Sequence, residues 1–187
     1  MSNAIKINAE KAPERYDLGA SKFFGTPTVP AEWVDGFYDN EIFLCQIRLS
    51  DIAALDNEGR LPKTGYLYVF LRVEEENDFI FEPRVRYYDG EPTHALEEFN
   101  SAIEGFEAFD TAYLMRFSEA EEDADGTRLF GVPSGWQYGD EPPALFMQFD
   151  PLDSEMGFLD SLDGYLYFFF GDDEGDLSKI TLLTDYS

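Results

Sequence analysis

A chain of 187 residues with 39 acidic and 13 basic side chains carries a formal net charge of -26. It therefore repels phosphate backbones and anionic lipid headgroups, whose protein partners rely on Lys and Arg, so nucleic-acid binding and membrane docking are not expected. At 44% hydrophobic and 17% aromatic residues it is too apolar for a disordered chain, and this length buries roughly 70% of the surface an unfolded chain exposes.

The opening "MSNAIKINAEKAPERYD" shows no apolar stretch behind a basic start, and no run approaches the roughly 20 apolar residues of a membrane helix. These features read as a cytoplasmic protein. "KFFGTP" at Lys22–Pro27 is a Gly-x-Pro turn followed by Trp33. Next comes "IFLCQIRL", a strand in which Phe43, Cys45, Ile47 and Leu49 are expected on the core face and Gln46 and Arg48 on the other. Cys45, the single cysteine, is then a packed apolar residue with no partner for an internal disulfide. "SDIAALD" suggests a short helix capped by Ser50. "GYLYVFL" at Gly65–Leu71 is a short aromatic strand suited to cover on both faces.

"EEENDFIFEPRVRYYDGEP" reads as a hairpin or two edge strands. "THALEEFNSAIEGF" places Leu96, Phe99, Ile103 and Phe106 at spacings of three, four and three, which predicts a helix with Thr93 as N-cap behind Pro92. The opening phrases then return. "RLFGVP" at Arg128–Pro133 is followed by Trp136, "ALFMQFD" at Ala144–Asp150 and "GYLYFFF" at Gly164–Phe170. Three blocks in the same order, offset by about 100 residues, are the footprint of an internal duplication covering 22–71 and 128–170. Neither half has enough strands to cover its apolar residues, so 1–187 is expected to form one domain with a pseudo-twofold relation between halves. The fold class is mainly β, with α+β as the alternative: antiparallel sheets forming a roll or two packed sheets, with one or two short helices.

Chemistry is sparse. One histidine, His94, excludes HExxH and multi-histidine sites and is expected on the surface of the predicted helix. Ser134 in "VPSGW" lacks the first glycine of a nucleophile elbow, and no phosphate-binding glycine loop occurs. "EEDADG" at Glu121–Gly126 matches the start of a calcium loop, but Val132 stands where its closing glutamate belongs. That segment and "GDDEGD" at Gly171–Asp176 are read as solvated loops. No catalytic residue, metal ligand or cofactor is assigned. The candidate ligand-binding residues are Trp33, Gln46, Trp136 and Gln148, because long amides in apolar strands need partners. They serve either to tie down loops or to line a groove at the pseudo-twofold axis with Tyr66, Tyr68, Tyr165 and Tyr167.

Through "SKFFGTPTVP", "FLCQIRLSDI", "LPKTGYLYVF", "RLFGVPSGWQ", "LFMQFDP" and "MGFLDSLDGYLYFFF" the chain resembles the YwqG-like family, a bacterial group of unknown function, from about Ser21 to Leu183. The resemblance implies a mainly-β roll or pair of packed sheets and carries no reaction. The resulting expectation is a non-enzymatic acidic protein that binds a basic protein partner, with an immunity or antitoxin-like role as one form. A small-ligand-binding or cryptic hydrolytic domain using the aromatic groove is the alternative, and an acidic surface that only confers solubility is the plainest reading of the charge.

Overall fold

The computed structural model describes residues 4–74, 80–153 and 165–185. It is mainly β: 37% of residues lie in strands, and among the described residues no helix reaches seven residues. The strands are β1 (Ala4–Lys11), β2 (Lys22–Phe23), β3 (Thr28–Val29), β4 (Glu41–Arg48), β5 (Tyr66–Glu74), β6 (Ile80–Tyr88), β7 (His94–Ala95), β8 (Tyr113–Ala120), β9 (Arg128–Leu129), β10 (Leu145–Phe149), β11 (Leu166–Phe169) and β12 (Thr181–Thr184). Ten form one sheet in the order β12-β11-β10-β9-β1-β8-β2-β4-β5-β6, and β3 pairs with β7 in a small second sheet. The end strands β6 and β12 approach each other, so the large sheet is nearly closed around its core. Among the described residues no helix is long and apolar enough to cross a membrane.

The order contains an exchange. β1 runs antiparallel to β8 from Ala4↔Ala120 to Lys11↔Tyr113, yet β1 also pairs with β9 while β8 pairs with β2. The strand that precedes each repeat thus lies beside the first strand of the other repeat, β1 beside β9 and β8 beside β2. Alternation builds β1, since Ile5, Ile7 and Ala9 are buried while Asn8 is exposed.

The main core inside the sheet includes Ile5, Ile7, Phe23, Cys45, Ile47, Leu67, Val69, Phe146, Phe149 and Phe168. Two further clusters lie apart from it. One gathers Val29, Phe43, Tyr66, Tyr68 and Phe70, and the other Leu145, Tyr167 and Phe169. Both aromatic strands are therefore covered on two faces, as their composition demands.

Three expectations are corrected. Phe43 does not share a face with Cys45, because a bulge between them shifts the register and sends Phe43 into the second cluster. β10 repeats this, with a shift between Leu145 and Met147 that sends Leu145 into the third cluster. Residues 93–106 do not form a helix. Thr93 NH instead bonds Val29 O, His94–Ala95 form β7, and turns follow. Glu98 has φ of 56°, which a right-handed helix cannot contain, and Leu96 and Phe99 pack on the second cluster whereas Ile103 and Phe106 pack in the main core. After β4, Leu49–Asp51 form one 3-10 turn with Arg48, not Ser50, at its N-cap. The stretch 74–92, expected as a hairpin or two edge strands, supplies one described strand, β6, which pairs antiparallel with β5 and tolerates Pro83 on an end strand; residues 75–79, and Gly164 before β11, lie outside the described residues.

Candidate functional site

The two candidate glutamines perform the same task in each half. Gln46 Oε1 accepts from Thr28 NH at 3.0 Å, and its Nε2 donates to Leu18 O and Ala20 O at 3.0 and 3.1 Å. Gln148 Oε1 accepts from Ser134 NH at 2.8 Å, while its Nε2 donates to Gly126 O and Ser134 Oγ at 2.8 and 3.1 Å. Both are fully buried. A tyrosine closes each unit, Tyr68 Oη donating to Thr28 O and Tyr167 Oη to Ser134 O. Desolvation raises the pKa of both phenols, that of Tyr167 to about 12. The amides thus fasten the turn after β2 or β9 onto the neighbouring long strand.

The correspondence extends to charge. Lys22 opens β2 and Arg128 opens β9, and both are fully buried. The Arg128 guanidinium donates to Ala124 O, Phe130 O and Val132 O, so three carbonyls replace its water. Lys22 Nζ donates to Leu18 O at 2.7 Å and lies 5.3 Å from the centre of the Tyr16 ring. Burial depresses its pKa to about 7, against a smaller opposing effect of Asp17. Ser21 Oγ donates to Asp51 Oδ2 and accepts from Arg48 NH; in the other half Thr127 NH donates to Asp153 Oδ2 and Thr127 Oγ1 accepts from Asp150 NH.

The tryptophans occupy separate clusters. The Trp33 ring is 5.2 Å from that of Tyr68 and 6.0 Å from that of Tyr88, with the Arg86 guanidinium 3.7 Å over it. Trp136 packs 5.3 Å from Tyr138 and 5.6 Å from Phe169. Trp33 packs on the cluster of Tyr66, Tyr68 and Phe70 and Trp136 on that of Leu145, Tyr167 and Phe169, while Gln46 and Gln148 fasten loops of their own halves. Tyr66 and Tyr68 are buried, and Tyr66 is engaged by Arg48 and Glu91. Cys45 is a free buried thiol whose pKa burial raises.

Two cavities lie elsewhere. One, of about 520 Å³, is lined by Arg60, Val85, Tyr87, Glu174 and Leu177 near the seam where the sheet nearly closes. The larger, of about 720 Å³, lies between residues 34–41 and 95–103. Its apolar lining comes from Val34, Phe37, Leu96, Phe99 and Ile103, and its acidic lining from Asp39, Glu41, Glu97 and Glu98. Glu41 is held by Arg84, at 2.7 Å from Nε and 2.8 Å from Nη2. Asp39, Glu97 and Glu98 are exposed. The spacing of Leu96, Phe99 and Ile103 predicts a helix, so the groove escaped sequence reasoning; these residues instead line it beside Val34, Phe37 and Tyr38, a juxtaposition that only the folded chain creates.

In the calcium-like loop, Lys6 Nζ donates to Asp125 O at 2.8 Å and lies 3.5 Å from Asp153 Oδ2. An ammonium group thus occupies the loop's inner side. Among the described residues no group of three or more His, Cys, Asp or Glu side chains is placed to hold a metal ion. Fold and sites together define an acidic, nearly closed β-sheet protein whose buried polar groups fasten loops. No protein-family model matches the chain, and a search of curated proteins finds no match.

Proposed function

We propose that this chain is a non-enzymatic interaction protein that binds a basic protein partner through its acidic surface, with an immunity or antitoxin-like role as one concrete form and the YwqG-like family as its kin. The observation that supports this most is the imbalance of charge at the surface. The ion pairs seen engage Lys6, Arg48, Arg60, Arg72, Arg84 and Arg116, yet one-to-one pairing of all 13 bases would still leave 26 of the 39 carboxylates uncompensated. Such a field speeds encounter with a cationic surface and repels further copies of the same chain. The conspicuous polar groups of the interior support the same reading, since Gln46, Gln148, Ser21, Thr127 and Arg128 spend their hydrogen bonds on the scaffold.

The test is affinity capture from the cell lysate at low and at high salt. The reading expects a basic protein retained at low ionic strength and released at high. Recovery of no basic protein at low salt would reject it.

A further inference from the structure

We propose that the groove between residues 34–41 and 95–103 is a docking site for a basic polypeptide segment that presents an apolar side chain flanked by lysine or arginine. This rests on the acidic-surface reading and gives it a location. The crossover through β7 and the turns at 96–110 joins the halves, and residues 95–103 of it form one wall of the groove.

The chemistry selects the occupant. The lining mixes apolar side chains with carboxylates, and its members Val34 and Tyr38 remain 37% and 51% exposed. A purely polar ligand would leave that surface wet, whereas a side chain of leucine size gains by entering it. Glu41 is compensated by Arg84, while among the described residues Asp39, Glu97 and Glu98 have no ion pair or side-chain hydrogen bond. An acidic or neutral apolar segment would add repulsion or leave those carboxylates unanswered, and a second copy of this chain would bring its own net charge of -26. A basic apolar segment satisfies both the apolar side chains and the carboxylates of the lining.

The experiment compares two fluorescent peptides of equal length and charge, one alternating lysine with leucine and the other lysine with glycine, titrated by anisotropy at low salt. The protein is tested as wild type, as Val34→Lys and as Val132→Lys. Val132 is 41% exposed and lies in the second half, away from the groove, so it supplies the same change of charge on an exposed position. The expected result is binding of the lysine–leucine peptide roughly tenfold tighter than the lysine–glycine peptide, with that preference lost in Val34→Lys and kept in Val132→Lys; circular dichroism confirms that both variants fold. Equal affinity for the two peptides, or equal loss in both variants, overturns the groove while leaving the acidic-surface reading intact. Binding of neither peptide overturns the groove, and low-salt capture then decides the broader reading separately.

Discussion

Lys22 is the residue whose energetics are most exposed to test. Its ammonium is fully buried, with one carbonyl acceptor and the Tyr16 ring, where Arg128 has three carbonyls. Its pKa falls from 10.5 to about 7 because burial penalises the charge. Between those values the unfolded chain binds a proton that the folded chain lacks, so stability rises with pH, and below about 7 the contribution is flat. The Cys45 thiol acts in the opposite sense, since its raised pKa makes folding lose ground above the ordinary thiol value of 9.0. The urea midpoint is therefore expected to climb from pH 7 toward pH 9, and Lys22→Met is expected to flatten the climb; a wild-type midpoint that falls over this interval would contradict the assignment. At the buried amides, Gln46→Leu strands Thr28 NH and the acceptor Ala20 O, and is expected to destabilise by about 2 kcal/mol or more. Gln148→Leu strands Ser134 NH and Gly126 O and is expected to cost a similar amount, measured by denaturant unfolding.

At the scale of elements, the turns after β2 and β9 are left-handed at two successive positions, Phe24 and Gly25 at φ of 56° and 77°, and Phe130 and Gly131 at 62° and 84°. A Cβ at Gly25 would stand 2.5 Å from the Ala112 Cβ, and one at Gly131 would collide with Glu122 O. Gly59, also left-handed at 65°, faces open space. Gly25→Ala and Gly131→Ala are thus expected to cost well beyond the roughly 1 kcal/mol of conformational strain that Gly59→Ala incurs, and equal melting temperatures for the three would contradict the packing described. These repeated turns, and the strands they precede, were legible because both copies use the same residue types. The bulges were not: a strict period of two placed Phe43 with Cys45, and nothing in "IFLCQIRL" marks the inserted residue. Asn100 explains part of what was missed, since its side chain accepts from Phe43 NH and donates to Phe43 O and Phe109 O. One buried carboxamide thereby replaces a strand neighbour beyond the end of β2 and pins a turn where apolar spacing alone predicts a helix. β1 was overlooked, although the alternation in "AIKINA" carried its signal.

For the molecule as a whole, sequence repetition pairs the turns and strands of the two halves but does not reveal that β1 and β8 trade places. That exchange depends on pairings between residues far apart in the chain, such as Phe23↔Tyr113 and Ile5↔Leu129, which no local pattern encodes. It couples the halves through β1 and β8, so a disruption in one half is expected to unfold both in a single transition; two resolved unfolding steps by fluorescence would contradict this. The candidate site was legible only in its charge. Gln46 and Gln148 stand out in the sequence as amides in apolar strands, and the structure uses them to hold loops; the groove arises from segments 34–41 and 95–103 that only the folded chain brings together.

The most direct test of an acidic surface that serves binding is the association rate of the captured basic partner as a function of salt, for the wild type and for a variant with Asp39→Asn, Glu97→Gln and Glu98→Gln. The wild-type rate is expected to fall steeply as ionic strength rises, and the variant to associate more slowly at low salt with a shallower dependence. A wild-type association rate that is the same at low and at high salt would contradict the account.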